Sequence, residues 1–145
     1  ENYCWYNDNI SSKDTYGALY SWYGTAMGPL APKGWHVPSE QEWFVLIEYL
    51  GGENIAGGKL KETGNDHWTK PNTGADNSSG FNALPAGGKG YSQGFVGIGY
   101  NVIWWTSKKI NFSKARAFGV FYDSSKISSI KGDILAFLPV RCIKD

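Results

Sequence analysis

The feature that most constrains this chain is the combination of many large rings with many glycines. Aromatic residues make up 16% of the 145-residue sequence, and 19 residues are glycine. Aromatic side chains contribute much of the area that a core buries, whereas glycine favours turns and close backbone approaches. Disordered chains contain few aromatics. The sequence therefore predicts an ordered domain that is rich in loops and has rings available for a binding face.

Length and charge narrow the class of protein further. A chain of this length fits one domain with its own core, so we expect a single domain over residues 1–145. The 14 basic and 13 acidic residues give a net charge of +1 without a basic stretch, which argues against nucleic acid as the main partner. No apolar run approaches the ~20 residues that cross a bilayer, so we expect no membrane insertion.

The beginning of the chain predicts one strand and one helix. Residues 2–6 are aromatic and extended in character, which indicates a strand. After a polar turn, Asp14 is a candidate N-cap for a first helix. The residues that give this helix an apolar stripe at helical spacing are Tyr16, Leu19, Tyr20 and Tyr23.

The second helix has the clearest local signals. Ser39 and Glu42 have the spacing of a capping box, in which each side chain accepts a hydrogen bond from the backbone N–H of the other residue. Four apolar residues then recur on one face, and they are Trp43, Leu46, Ile47 and Leu50. Gly51 and Gly52 follow the stripe and end the helix.

The remainder divides into an irregular region and a sheet. Between residues 51 and 99 Gly, Asn, Ser, Thr and Asp dominate, which predicts a long loop region that its interspersed aromatics keep ordered. After Gly99, strand-like patterns predict an antiparallel meander with Pro139 at an edge or a bulge. The four predicted strands cover residues 102–107, 115–122, 127–130 and 137–143.

The two cysteines lie close to opposite ends of the chain. Cys4 and Cys142 each occupy a strand-like stretch, and chain termini often lie together, which favours a disulfide between them. Such a bond closes a large loop, worth roughly 4–5 kcal/mol in the chain-entropy model, and indicates an oxidising compartment. The alternative is a pair of buried thiols, which are common in cores.

Several short stretches combine glycine, aromatic and polar residues in a distinctive order. They lie at residues 16–23, 34–43, 56–61, 72–75, 80–85, 104–107 and 140–145. Together they resemble the Fibrobacter succinogenes major paralogous domain over nearly the whole chain. Within them, the stretch Gly-Trp-His-Val-Pro-Ser-Glu-Gln-Glu-Trp at 34–43 is the most similar to the wider group that includes formylglycine-generating enzymes and the variable receptors of diversity-generating retroelements.

The resemblance implies a fold and a location. The fold is α+β and C-type-lectin-like, with two helices packed on a small antiparallel sheet, a long irregular loop region, and adjacent N- and C-terminal strands. The location is the surface of a bacterium of the Bacteroidetes or Fibrobacter type, or its secreted proteins, where such domains are modules of larger proteins; we expect a monomeric module. In lectin-like folds the loop region and the adjoining strands carry the ligand site.

No catalytic set is apparent in the sequence. His36 and His67 are the two histidines, and we expect a hydrogen-bonded structural role for His36 and surface exposure for His67. Formylglycine-generating enzymes depend on copper bound by cysteines, whereas this chain has one cysteine in each terminal strand. We therefore expect no enzymatic activity and no catalytic cofactor.

Calcium is a separate question. The triplet Lys70-Pro71-Asn72 has a cation where calcium-dependent lectins have a carboxylate or amide, so a calcium-mediated sugar site is not expected. The side chains of Asp66, Asp76 and Asn77 nevertheless supply oxygens suited to a structural calcium, which takes about 6–8 of them. The alternative, which is favoured, is that these side chains cap turns.

The aromatics are the positive signal for recognition. Trp35, Trp43, Tyr16 and Tyr20 lie on helical stripes or at caps and are expected in the core. Trp104 and Trp105 are adjacent in a strand and face opposite sides, so one is available for a binding face. The residues predicted to contact a ligand are Trp68, Tyr91, Phe95, Tyr100, Trp105 and Asn72.

These observations favour a non-catalytic binding module. The first hypothesis is carbohydrate binding, in which a flat ring meets the C–H face of a sugar and neighbouring polar groups bond its hydroxyls. The second is a protein-binding adhesin or assembly module that uses the same face, because Trp, Tyr and Arg concentrate binding energy in protein interfaces. An apolar exposed patch distinguishes the second hypothesis from the first.

Overall fold

The structure is a computed structural model that describes residues 2–145. Its four helices are α1 (Lys13–Tyr16), α2 (Trp22–Ala26), α3 (Glu40–Tyr49) and α4 (Glu53–Leu60). Its ten strands are β1 (Tyr3–Cys4), β2 (Leu19–Ser21), β3 (Trp35–His36), β4 (Ala86–Gly90), β5 (Gly94–Ile98), β6 (Asn101–Lys109), β7 (Lys114–Phe121), β8 (Ile127–Asp133), β9 (Phe137–Leu138) and β10 (Ile143–Lys144). None of the helices formed by these residues is long and apolar enough to cross a membrane.

Two sheets organise the molecule into an α+β fold. The larger sheet has the order β1-β2-β9-β4-β6-β7-β8, with β5 paired to β4, and every pairing is antiparallel except β4 with β6. The predicted antiparallel meander is confirmed for its first three strands, because β6, β7 and β8 pair in sequence, whereas β9 pairs with β2 and β4 instead of β8. The smaller sheet consists of β3 and β10.

The larger sheet is covered on both faces around β6. Trp104 packs with α3 and α4 in one hydrophobic cluster, whereas Trp105 lies in a second cluster with Trp22 and Leu138. Since successive side chains of a strand point to opposite faces, the two adjacent tryptophans belong to two different cores. Both rings are buried. The expectation that one of them is available to a ligand is therefore not met.

Helix α3 forms where the sequence predicts it. The Ser39 hydroxyl accepts from the Glu42 N–H at 3.2 Å, and the Glu42 carboxylate accepts from the Ser39 N–H at 2.8 Å. The predicted stripe points inward, with Trp43, Ile47 and Leu50 buried. These contacts fix the helix on β6 and β7. The capping box is thus confirmed, and it places Glu42 at the mouth of a surface groove.

The first predicted helix is wrong in its extent. The backbone forms only the four-residue α1 before Gly17, which adopts φ 75° and ends the helix. Leu19 and Tyr20 then belong to β2, whose backbone pairs with β1 on one side and β9 on the other. Hydrogen bonding to two neighbouring strands outweighs the weak helical stripe, and Ser21 begins the separate α2.

The region between residues 51 and 99 is more regular than its composition predicts. It contains α4, β4 and β5, with the irregular chain limited to residues 61–85. In α4, Gly57 and Gly58 lie against the backbone of Lys126 and Gly74 respectively, so closely that a Cβ atom would clash. The Gly58 N–H donates to the Ser125 carbonyl at 3.0 Å. The two glycines therefore allow α4 to pack closely on these segments, and their low helix propensity explains why the sequence did not predict a helix here.

The C-terminal segment corrects two expectations. The predicted strand 137–143 is split around Pro139 into β9 and β10, and β2 lies between β1 and β9, so the terminal strands are not adjacent. Cys4 and Cys142 do not form the disulfide that we predicted. Cys4 is buried with Tyr6, whereas Cys142 lines a surface groove beside α3, so the two side chains occupy different environments.

Candidate functional site

A concave, mostly apolar site lies between α3 and β10, and we call it the α3–β10 groove. It has a volume of about 290 Å³, at the small end of the roughly 300–1,000 Å³ typical of ligand sites. Three separate parts of the sequence line it, namely Trp35 to Leu46, Phe81 and the last residues of the chain. The lining residues are Trp35, Pro38, Glu42, Trp43, Leu46, Phe81, Arg141, Cys142, Ile143 and Lys144.

The pairing of β3 with β10 sets one wall of the groove. Lys144 lies directly opposite Trp35 in this antiparallel ladder, so the two side chains share a face of the small sheet. The Trp35 side chain is 45% exposed, unlike the core tryptophans. Trp35 was expected in the core, and this expectation is wrong, because β3 lies outside the large sheet and covers no core surface. Its ring is available to a ligand.

Aromatic residues and an arginine form the rest of the groove. The Trp43 ring stacks on Trp104 at a centroid distance of 5.3 Å and is fixed in the core. The Arg141 guanidinium lies 4.1 Å from the Phe81 ring centroid, and its Nη2 donates to the Phe81 carbonyl oxygen at 2.7 Å. Burial lowers the pKa of Arg141, yet a guanidinium stays charged at neutral pH. The groove thus contains a positioned cation beside apolar walls.

A histidine bridge holds the end of β10 to α3. His36 Nδ1 lies 2.6 Å from the Asp145 carboxylate, and His36 Nε2 lies 2.7 Å from the Glu42 carboxylate. The hydrogen bonds to Asp145 and Glu42 raise the pKa of His36 above its ordinary value of 6.5. The backbone N–H of Ser39 and the hydrogen bond with His36 lower the pKa of Glu42. His36 therefore has the hydrogen-bonded structural role that we expected, at the edge of the site.

One buried donor of a residue that lines the groove has no partner. The indole N–H groups of Trp22, Trp68 and Trp105 each donate to a main-chain carbonyl at 2.9–3.0 Å. By contrast, Trp43 Nε1 is buried and has no acceptor among the residues that the structure describes. Buried polar groups usually have partners, so an unpaired one requires an explanation such as a bound water or ligand.

Three of the predicted ligand-binding residues are buried. Trp68 and Trp105 are 1% and 0% exposed, and Asn72 donates from its amide to the Glu62 and Gly64 carbonyls. Neither ring has a face available to a ligand, and Asn72 organises the loop that follows α4. We therefore remove these three residues from the candidate site, since burial closes them off.

The other three predicted contacts do not form one platform. Tyr91 and Tyr100 are 73% and 49% exposed, but they lie in the turns at opposite ends of β5. A five-residue strand separates its ends by roughly 16 Å, so one sugar cannot contact both rings. Phe95 is half-buried against Tyr6, and the Lys89 ammonium covers its ring at 4.7 Å.

The oxygens suggested as calcium ligands are engaged in turns or separated. The Asp76 carboxylate accepts from the Ser78 N–H at 2.9 Å, and the backbone and hydroxyl of Ser78 lower the pKa of Asp76. The Asn77 amide oxygen accepts from the Asn82 N–H at 2.8 Å. Asp66 is exposed in the neighbouring loop. Over residues 2–145 no three His, Cys, Asp or Glu side chains cluster in a way that suits a metal ion.

Reasoning from the sequence missed the groove, although the signal was present. Two of the stretches that carry the family resemblance, 34–43 and 140–145, supply most of its lining. The first contains an aromatic residue outside any helical stripe, Trp35, and the second contains Arg141 and Lys144. Their proximity depends on the two-residue strands β3 and β10, which are too short to have a recognisable pattern.

Comparisons with known proteins give one match. The sequence model described as the Fibrobacter succinogenes major domain matches residues 1–144, which is nearly the whole chain. No curated protein and no solved structure matches the chain. The match includes every residue of the groove.

Proposed function

The chain belongs to the Fibrobacter succinogenes major domain family, and we propose that it is a non-catalytic carbohydrate-binding module that uses the α3–β10 groove. The observation that carries the proposal is the half-exposed Trp35 ring at a groove with aromatic walls and polar side chains. Ligand sites combine apolar surface with a few polar groups that orient the ligand. A sugar offers both an apolar C–H face and hydroxyl groups.

Two further proposals rest on the resemblance of the sequence motifs. We propose a C-type-lectin-like arrangement of the helices and the mostly antiparallel sheet. We also propose that the domain is a monomeric module of a secreted or surface protein of a bacterium. The proposed site lies between the C-terminal segment and α3 and includes Phe81 of the irregular loop region, but it contains none of the ligand contacts that the sequence predicted.

The chemistry of the groove supports binding more than catalysis. Cys142 is the nucleophile among its lining residues, and burial raises the pKa of this thiol. A reactive cysteine requires a lowered pKa and a nearby base. His36 has both ring nitrogens committed to carboxylates. No cofactor is needed for the proposed binding, because side chains supply all the polar groups.

Retention on glycans tests the proposal. The chain is screened against neutral and acidic plant, bacterial and host polysaccharides, and Trp35→Ala is compared with Tyr49→Ala. Tyr49 is an 85% exposed aromatic residue at the end of α3 that does not line the groove, so its substitution is the matched control. We expect retention of the native chain and Tyr49→Ala, loss in Trp35→Ala, and no effect of excess EDTA. Absence of retention for the folded chain on every glycan would contradict the proposal.

An exposed apolar face on α3 favours a second candidate function, protein binding. Val45 and Tyr49 lie one helical turn apart and are 68% and 85% exposed, so they form a contiguous apolar strip. Such strips mark interaction surfaces more often than isolated apolar residues do. Loss of a captured protein partner on Val45→Ser with Tyr49→Ser, together with unchanged glycan retention, would support this function.

A further inference from the structure

The groove has more unpaired hydrogen-bond donors than acceptors. The Arg141 guanidinium uses one of its five N–H donors on the Phe81 carbonyl, and it has no other acceptor among residues 2–145. Lys144 makes no ion pair or side-chain hydrogen bond with those residues, and Trp43 Nε1–H is also unpaired. Glu42, the acidic residue that lines the groove, is already paired, because both of its carboxylate oxygens are hydrogen-bonded.

We propose that the α3–β10 groove selects sugars that carry a carboxylate, such as a uronic acid residue. Arg141 and Lys144 would pair with the carboxylate, while the Trp35 ring stacks on the face of the same sugar. The proposal deepens the proposed carbohydrate binding and rests on it. The planar guanidinium is suited to a carboxylate because its fork of N–H donors matches the two oxygens.

The charges around the groove are consistent with an anionic ligand. Arg141 and Lys144 are positive, and Glu42 is the one acidic residue that lines the groove. The Glu42 charge is met by the Ser39 N–H and by His36, which also contacts Asp145. A carboxylate placed at the Arg141 side therefore meets cations whose charge no acid in the described structure has already neutralised.

Preorganisation favours Arg141 as the main contact. The Phe81 ring and carbonyl hold the guanidinium in place before any ligand binds. A side chain that is already ordered loses less conformational freedom on binding than a mobile one. Lys144 is exposed and carries a flexible chain, so its contribution is smaller.

The experiment compares one sugar in two charge states. The dissociation constants of the chain for tri-galacturonate and for its methyl ester are measured by isothermal titration calorimetry. The methyl ester keeps the ring and the hydroxyl groups but removes the charge. We expect at least about 10-fold tighter binding of the acid, because hydrogen bonds to charged groups are the stronger ones. Raising the salt concentration weakens only the acid's binding.

Charge-neutralising variants locate the effect. Arg141→Gln is expected to lower the affinity for the acid about 10-fold or more, and Lys144→Gln about 2-fold to 5-fold. Lys108→Gln is the matched control, since Lys108 is an exposed lysine whose side chain lies outside the groove. Lys108→Gln is expected to change neither affinity by more than about 2-fold, whereas Arg141→Gln and Lys144→Gln should each lower the affinity for the acid by a larger factor than the affinity for the methyl ester.

The outcomes separate this inference from the proposed function. Equal, Trp35-dependent binding of the acid and its ester would overturn the inference and leave carbohydrate binding in place. Lack of binding to both, and to every other saccharide, would overturn both proposals. Tight binding of poly-glutamate that does not depend on Trp35 would show an acidic protein ligand, which also overturns the inference. Unchanged affinity for the acid in Arg141→Gln and Lys144→Gln would do the same.

Discussion

Lys61 provides a direct test of how this fold is held together. The residue is fully buried, and its ammonium donates to the carbonyl oxygens of Thr73, Phe121 and Ser124, each at 2.9 Å. These acceptors lie in the loop after α4, at the end of β7, and in the turn before β8. One side chain thus joins the loop after α4 to the connection between β7 and β8.

The magnitude follows from two opposing contributions. Lys61→Met leaves the carbonyl oxygens of Thr73, Phe121 and Ser124 without this buried donor, which costs about 2 kcal/mol each, or about 6 kcal/mol in total. Burial lowers the pKa of Lys61 from 10.5 to about 8, so the charged side chain, its hydrogen bonds included, is disfavoured by about 3 kcal/mol relative to its neutral form, and methionine is free of this cost. We therefore expect the free energy of unfolding at pH 7 to fall by about 3 kcal/mol.

Urea denaturation measures this difference. With a slope of about 2 kcal/mol per molar urea, the transition midpoint of Lys61→Met should be lower by about 1.5 M. Lys59→Met is the control, because Lys59 is half-buried in the last turn of α4, two residues before Lys61, and its ammonium donates no hydrogen bond within residues 2–145. Its midpoint should change little. A Lys61→Met chain as stable as the native one would show that desolvation outweighs the three hydrogen bonds and would refute the reasoning.

The pH dependence of this difference has a definite sign. A lysine pKa that is lower in the folded chain means that, between about pH 8 and 10.5, the unfolded chain binds more protons. Stability from this group therefore rises with pH in that window. The stability difference between the native chain and Lys61→Met should grow by about 2 kcal/mol from roughly pH 7 to 9.5. A flat or falling difference would mean that the three carbonyls keep Lys61 protonated.

Three other predictions concern packing, the histidine bridge and the groove thiol. Gly58→Ala should destabilise the fold by about 1–3 kcal/mol in urea denaturation, because the alanine Cβ meets the Gly74 backbone, and this outweighs the better helix propensity of alanine. Asn54→Ala, at an exposed position of the same helix, is the control and should be neutral or slightly stabilising. The pKa of His36, measured by NMR, should exceed 6.5, and Asp145→Asn should lower it. The stability that the bridge of His36 with Asp145 and Glu42 adds should be complete below pH 6.5 and should disappear as the pH rises through the raised pKa. Alkylation of Cys142, followed by mass spectrometry, should be slow at neutral pH because burial raises the pKa of the thiol. A saccharide bound in the groove should slow it further, and a lack of protection by a bound saccharide would place the ligand elsewhere.

Sequence reasoning succeeded where the determining contacts are local. The capping box of Ser39 and Glu42 lies within four residues, so it predicts the start of α3 without knowledge of the fold. The strand-like pattern likewise predicts a strand over residues 115–122, which the structure forms as β7. It failed where partners are distant, because β2 is decided by pairing with β1 and β9 and not by its own stripe.

The buried loop tryptophan illustrates why rings in polar segments were misread. Trp68 lies among Asn, Asp and Gly residues, which favours an exposed ring on composition alone. In the structure its indole N–H donates to the Ala83 carbonyl and the Lys61 ammonium lies 5.4 Å from its ring. Trp68 belongs to the same hydrophobic cluster as Trp43 and Trp104, so its ring anchors the loop on the main core. Trp68 therefore stabilises the loop and is unavailable for recognition.

The same logic explains why the candidate site lies elsewhere. A ring stays available to a ligand when its element covers no core, which is true of Trp35 on the two-stranded sheet. That sheet joins the end of the chain to the start of α3, so it brings Arg141 and Lys144 beside the ring. Only the pairing register places a cation opposite an aromatic residue more than 100 positions away. The proposed recognition thus depends on a four-residue sheet that supplies no residue to the three hydrophobic clusters.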